Sequence, residues 1–596
     1  MSVLLRPARR GEASALTGLA LRAKAHWGYD RAFLDACRDD LRLRPEDLAG
    51  RRVTVAERDG RIVGFATLEG EPPAGELGML FVEPAEIGRG VGRLLYRQVL
   101  RTAAQLGIAR LTIGSDPHAE GFYLRMGAER VAPAEAAAGP EALVELRAWP
   151  RPEPSWVGAW TGDRPTVNVG NVREFNGTFT AVGPGRDPYA CLAAYGSPRP
   201  AHVILPEPVD EHWLRDVAAE LDWGDVAVTS GIAEDGRVSE AILARPELLA
   251  RIRASPSRVL PWGRTAGFER ILPAPPGVLD VVRRYESKAG AHRLFRSLAA
   301  GHPDVTVPDQ RPVGTRRALV RHLTRGANAT TGPFVLKREY GVGGSGTRIL
   351  SGRSAGFRTV LRGWPRGGVL LEEYVPGGGP YRNPTFDAVV DADGAVHPVG
   401  AGAMDVDGVS YQGVTVGPGA LPDAIAGPAA EFGSAVGRRL AEEGYRGWFD
   451  VDFVTDHAGR LAPTEINLRL TGPAAAFTVR ARLDRLRGGQ HVVRALDRLP
   501  LGARLPGAAW REHLARLVRD CRELGATLLV TIPTAVFEPA PYVGVLVAAR
   551  TLATLDAAEA AVRRGNRELG EMFRDFTGPA RDSWPPGRRR AARRRS

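Results

Sequence analysis

Cysteine is scarce: Cys37, Cys191 and Cys521 lie far apart in a chain of 596 residues. That excludes a disulfide framework and a cysteine zinc cluster, and leaves each thiol as a small buried hydrophobe. Lysine is equally rare. Lys24, Lys288 and Lys337 are the only lysines among 80 basic residues, a bias that fits a GC-rich genome in which arginine fills the generic cationic positions. A lysine kept against that bias marks a place that needs a compact ammonium rather than a planar guanidinium. No apolar run approaches the roughly 20 residues of a membrane helix, and the opening MSVLLRPARRGEA lacks the apolar stretch of a secretory signal. A cytoplasmic protein without membrane contact is expected.

What is present is a soluble globular composition, 44% apolar and 25% charged, with no sign of disorder or collagen. The length predicts about three to five domains. The net charge of +12 is unevenly placed: Pro579 to Ser596 carry seven arginines and one aspartate, half the total. No base-reading motif accompanies RRRAARRRS, so a solvated tail is expected rather than a nucleic-acid contact.

Strand and helix patterns alternate along the chain, which predicts an α/β multidomain fold. Residues 1–150 form the first unit, and the Pro-rich RPEPS after it reads as a linker. In 151–286, strand-like RPTVNV, AHVILPEP and DVAVTS alternate with helical LRDVAAELDW and RPELLARIRA. Residues 287–499 are Gly-rich with several β runs. Residues 500–576 hold two helices and two strands, and 577–596 form the disordered tail.

In the first unit, the strand-like GELGMLFVEP leads through EIGRGVG into a long helix. Gly88, Gly90 and Gly92 sit at that helix start, where backbone N–H groups and the helix N-terminus can receive a pyrophosphate. A strand, ARLTIGSD, and HAEGFYLRMGAERV follow. This order resembles the GNAT family of N-acetyltransferases. The resemblance implies that Gly88, Arg89, Gly90, Val91 and Gly92 hold acetyl-CoA, and that the Leu80–Val82 backbone pairs with its pantetheine arm. It also implies that Tyr123 protonates the departing thiolate, and Glu76 or His26 are candidates to deprotonate the amine. Ile87 stands where the family carries a polar residue, which favours an alternative in which this unit is a non-catalytic acyl-CoA-binding or docking module. KAHWGY around Lys24 reads as an acceptor-site lip or as surface helix packing.

In the third unit, GWFDVDFVTDHAGRLAPTEINLRL reads as a β-hairpin turning at Asp456–Gly459. Alternation puts Asp450 and Asp452 on one face, with Glu465, Asn467 and Arg469 beside them, and sends Val451, Phe453, Ile466 and Leu468 to the core. Asp452, Glu465 and Asn467 are hard oxygen ligands suited to Mg²⁺, and Arg469 can neutralise a transferring phosphoryl group. Upstream, PFVLKREYGVGGSGTRIL places Lys337 on a strand before a flap, Gly341, Gly343, Gly344, Ser345 and Gly346, whose N–H groups can cover phosphates. Lys288 opens the helix KAGAHRLFRSL, and GVLLEEYV ends a strand in two carboxylates.

That sequence of parts resembles the ATP-grasp ligases and, within them, the pheganomycin-type peptide ligases of actinomycetes. The resemblance implies a pre-ATP-grasp α/β domain over 151–286, an ATP-grasp domain over 287–499 and a C-terminal extension over 500–576. It also implies that Lys288 and Lys337 meet the ATP phosphates and that Glu372, Glu373, Tyr374 and Val375 form the adenine hinge. GGGPYRNP offers no acidic ribose ligand, and Asp387 is the candidate substitute.

The expected function is bifunctional: ATP- and Mg²⁺-dependent amide formation through an acyl phosphate, plus acetyl-CoA-dependent N-acetylation. Its partners are a small-molecule carboxylate and amine, without nucleic acid, and a homodimer is compatible. GGGPYRNPTF and TGPAAAFTVR border the expected acceptor site. Natural-product biosynthesis and N-acetylated dipeptide osmolyte synthesis are alternative settings.

Overall fold

Apolar residues at alternating or three-to-four spacing create faces that are stable only when covered, and the computed structural model of the chain covers them with six hydrophobic cores. It describes residues 3–131, 143–181, 185–233, 235–324, 333–351 and 368–577. The RRRAARRRS tail lies outside the described residues.

The first unit holds two sheets that share one continuous segment. An antiparallel sheet runs Leu4–Pro7, Thr54–Arg58, Arg61–Ala66, Leu80–Val82, and a second runs Glu69–Glu71, Ala74–Leu77, Arg110–Ser115, Val144–Ala148, Glu129–Arg130. Ala74–Leu77 pairs in parallel with Arg110–Ser115, but Leu80–Val82 pairs with Arg61–Ala66 instead. The strand predicted over GELGMLFVEP is therefore split at Gly78–Met79. The two sheets diverge there, leaving Leu80–Val82 as a sheet edge with unpaired backbone groups.

Strands and helices alternate through residues 155–286. Their four-stranded parallel sheet has the order Ala227–Thr229, Pro200–Ile204, Thr166–Val169, Arg258–Pro261. Gln310–Val313, Val369–Glu373, Pro333–Lys337 and Thr347–Ser351 make a small antiparallel sheet.

The largest element is an eight-stranded antiparallel sheet. Its order is Leu461–Asn467, Gly447–Thr455, Pro384–Val390, Val396–Asp407, Ser410–Val416, Val492–Pro500, Tyr542–Ala549, Thr527–Ile532. The boundary expected at 499–500 falls inside Val492–Pro500, because that strand pairs with Ser410–Val416 on one side and Tyr542–Ala549 on the other. The extension completes this sheet instead of forming a body of its own. Helices Gly507–Glu523 and Leu552–Thr577 pack on that end. Among the described residues no helix is long and apolar enough to cross a membrane.

The first unit is docked on this body through charge and close packing. Arg97 pairs with Asp222 at 2.5 Å, and Arg550 donates to the Gly127 carbonyl at 3.0 Å. Gly127 has φ +93°, and a Cβ there would stand 2.5 Å from the Arg487 carbonyl oxygen. Only glycine fits this approach.

Candidate functional site

The hairpin Gly447–Thr455 and Leu461–Asn467 pairs Asp450 with Asn467 and Asp452 with Glu465. Val451, Phe453, Ile466 and Leu468 fill the core behind it, the alternation expected from the sequence. The carboxylates and the amide thus face one cavity of about 700 Å³. Asn467 Nδ2 donates to Asp450 Oδ1 at 2.7 Å, and Asn467 Oδ1 accepts from Arg469 Nη2 at 2.7 Å. Lys288 Nζ donates to Glu465 Oε2 at 2.5 Å, and Lys337 Nζ to Glu372 Oε1 at 2.7 Å. Both lysines are buried, which is where the compact ammonium is needed. Arg469 is braced by Glu286, 4.0 Å from its Nε, and Glu286 also accepts from the Leu468 N–H at 2.6 Å.

Electrostatics sort these acids. Burial acts to raise Glu465, but Lys288, Lys337 and Arg469 outweigh it and hold the carboxyl below its usual value. Burial pushes Asp450 up to about 7 against the pull of Arg469. Burial, then the charges of Asp450 and Glu465, raise Asp452 well above a normal aspartate. Asp452 Oδ1 is buried without a hydrogen-bond partner. A cluster of desolvated carboxylates with one orphaned oxygen is short of positive charge, and a hard divalent cation suits it. Among the described residues no three His, Cys, Asp or Glu side chains form a ligand group. The predicted set uses two carboxylates and an amide, and Asn467 Oδ1 keeps a second lone pair for the ion.

The other predicted residues divide. Gly343, Gly344 and Glu372–Val375 line the cavity, while Gly341, Ser345 and Gly346 stand behind its wall. Ser345 Oγ closes the flap turn by accepting from the Val342 N–H at 2.9 Å. Gly344, at φ +81°, lies so close to the Val409 carbonyl that a Cβ would come within 1.6 Å. The side chain of Glu372 serves Lys337, so the hinge offers backbone there. Asp387 is not the ribose ligand suggested as a substitute. It is fully buried, accepts from Trp448 Nε1 at 2.9 Å and does not line the cavity. Sequence reasoning missed Glu286, Tyr189, Trp262, Tyr411, Asp497, Arg498 and Tyr542, which belong to distant segments that folding alone unites. Of these, all but Glu286 line the cavity.

A second cleft of about 1420 Å³ runs from the place where the sheets of the first unit diverge to the body it is docked on, where Glu220, Arg487, His491 and Arg550 share its lining. Leu80, Phe81, Val82, Gly88, Gly90 and Gly92 line it. Gly88 and Gly90 have φ +82° and +84°, and Gly90 caps helix Val91–Leu106. In that loop Arg89 is exposed and pairs with Glu86 at 3.3 Å, and the Val91 side chain is buried in the core. Tyr123 lines the cleft and packs edge-on to Tyr96 and Phe122, with ring centroids 5.6 and 5.0 Å away. Burial, then the charge of Asp116, raise its phenol, so it keeps its proton. Glu76 lines the cleft; His26 does not. Lys24 pairs with Asp116 at 2.9 Å, and Trp27 stacks on His118 at 5.2 Å. Lys24 and Trp27 of the KAHWGY segment thus line the cleft.

An uncharacterized N-acetyltransferase of Mycobacterium tuberculosis and one of Mycobacterium bovis are each 37% identical over 81 residues, 13% of this chain and 52% of theirs. The chain spans about half the length of these curated relatives. An N5-carboxyaminoimidazole ribonucleotide synthetase of Thermus thermophilus aligns over 67% of this chain and 98% of its own at 18% identity, with a TM-score of 0.42. An L-amino acid ligase of Bacillus licheniformis aligns over 68% and 98% at 11% identity, with a TM-score of 0.40. The PaiA N-acetyltransferase of Thermoplasma acidophilum, solved with coenzyme A, aligns over 25% and 98% at 15% identity, with a TM-score of 0.22. The acetyltransferase (GNAT) family model matches residues 9–128, so the first unit carries a domain of that family.

Proposed function

We propose that the chain is a bifunctional enzyme: an ATP-dependent ligase that joins a carboxylate to an amine, fused to an acetyl-CoA-dependent N-acetyltransferase. The observation that carries the ligase reading is one cavity holding Lys288, Lys337, Asp452, Glu465, Asn467 and Arg469 under a glycine flap. An amine cannot displace oxide from a carboxylate, so the carboxylate must first become an acyl phosphate. Lys288, Lys337 and Arg469 screen the charges that otherwise keep two anions apart. Asp452, Glu465 and Asn467 would hold Mg²⁺, which adds neutralising charge at the phosphates. The flap and the Asp407–Ser410 turn exclude water that would hydrolyse the intermediate. The amine then forms the C–N bond as phosphate leaves with the C–O electron pair. Pheganomycin-type peptide ligation is the finer reading that the sequence resemblance supports.

In the acetyltransferase cleft, the open edge of Leu80–Val82 and the Gly88–Gly92 loop receive the cofactor, and Tyr123 returns a proton to the thiolate. The exposed hydrophobe Ile87 in that loop favours a second reading, a cofactor-binding module without turnover.

The test is an ADP-release screen over carboxylate and amine pairs, with product masses, run with and without acetyl-CoA. ADP that depends on both substrates, with an amide product, is expected. Glu465→Ala should lower it at least about 100-fold and leave acetyl transfer unchanged. Absence of ADP from every pair would overturn the ligase reading, and failure of every amine to release CoA from acetyl-CoA would favour the second reading of the first unit.

A further inference from the structure

Part of the lining of the ligase cavity has no role in the nucleotide, ion or flap reading. Asp497 lies there on Val492–Pro500, where the register with Tyr542–Ala549 shifts between Leu496 and Leu499. Such a bulge turns a side chain out of the strand's alternation, and bulges gather beside active sites. Asp497 is 2% exposed and lines the cavity. Its Oδ2 accepts from Tyr189 Oη at 2.8 Å, while its Oδ1 is buried without a hydrogen-bond partner. Among the described residues no ion pair reaches it. Its neighbour Arg498 lies over the Tyr542 ring, 4.9 Å from the centroid. A desolvated carboxylate without an ion-pair partner is expensive, and a cationic ligand offsets that cost.

The walls match such a ligand. Tyr189 packs edge-on to Trp262, with centroids 5.9 Å apart, and both line the cavity with Tyr411 and Tyr542. Aromatic faces attract an ammonium and repel a carboxylate's charge. Tyr411 Oη is likewise buried without a partner. Its ring blocks Gly472, where a Cβ would stand 2.5 Å from Tyr411 Cε1. Thr471 and Gly472, which follow Arg469 closely in the chain, line the same cavity.

We propose that Asp497, walled by Tyr189, Trp262, Tyr411 and Tyr542, receives the ammonium group of the ligase's amine substrate and takes its proton. The substrate class is a primary ammonium on a body with apolar surface. This rests on the ligase reading. In the step, the ammonium first passes one proton to Asp497 Oδ1, which frees the nitrogen lone pair; that pair bonds to the acyl carbon, the carbon–oxygen bond to phosphate breaks with its pair on phosphate, and the second proton lost by nitrogen goes to the departing phosphate.

The test separates acyl-phosphate formation from amine use in the full chain. Hydroxylamine, uncharged at neutral pH, traps the acyl phosphate as a hydroxamate without needing an ammonium receptor. The twenty L-amino acids serve as carboxylates and the L-amino acid amides as amines. Asp497→Asn should form hydroxamate within about threefold of the parent while amide formation falls at least about 100-fold. Tyr189→Phe keeps the carboxylate and should show the same split at about tenfold, which preserves the test if the first variant does not fold. Amide formation at the parent rate in both variants, or equal loss of hydroxamate and amide, overturns the proposal. If the parent forms no ADP and no hydroxamate with any carboxylate, the ligase reading itself fails and takes this inference with it.

Discussion

Tyr123 and Asp497 illustrate what burial does to single ionisable groups. Burial and the charge of Asp116 keep the Tyr123 phenol protonated, so Tyr123→Phe should lower acetyl transfer about 10²–10⁴-fold with unchanged melting temperature. Full activity in that variant would leave the tyrosine a packing role. For Asp497, burial raises the carboxyl from 3.8 to about 7, against the Tyr189 hydrogen bond. A raised folded value means that stability is full below the unfolded value and is lost as pH rises through about 7. Asp497→Asn removes that loss. Between pH 4 and 7 the variant should therefore lose less stability than the parent, by up to about 4 kcal/mol, read by chemical denaturation. Parallel pH curves would contradict it. These residues differ in legibility. Tyr123 stands in a recognisable segment, whereas Asp497 sits in ALDRLP, an ordinary strand whose partner Tyr189 is 308 positions away.

At the scale of elements, what was legible was whatever alternation encodes locally. The hairpin at Gly447–Asn467 follows from two alternating runs around a turn, and its register then places Asp452 opposite Glu465. The start of the helix at Val91–Leu106 and the turn before it follow from Gly88 and Gly90, both at positive φ. Less legible was the break in GELGMLFVEP, because two sheets compete for that segment. The assignment of the last strands to the eight-stranded sheet was also hidden, since pairing partners so distant leave no mark on local pattern. The flap gives an element-scale prediction. Gly344→Ala places a Cβ against the Val409 carbonyl, and a positive φ adds strain. The variant should raise the KM for ATP about tenfold and release more ADP than amide, as water reaches the acyl phosphate. Tight coupling at the parent KM would show that this contact does not set flap closure.

Across the whole molecule, the first unit meets the rest of the chain through polar contacts that include the buried Arg97 with Asp222. Burial lowers the Arg97 guanidinium, with Asp222 opposing. Asp222→Ala leaves a desolvated cation and should cost about 1–3 kcal/mol, discounted for the partial exposure of Asp222. A differential scan of the full chain should show a lower first transition, and an unchanged scan would contradict that. The wider claim is that one cavity makes an acyl phosphate. Its most direct measurement uses a carboxylate substrate carrying ¹⁸O in both oxygens, with ATP and the amine. The account predicts one ¹⁸O in the inorganic phosphate for each amide formed, with ADP as the nucleotide product. Label recovered in AMP, or phosphate free of label while amide accumulates, would contradict it.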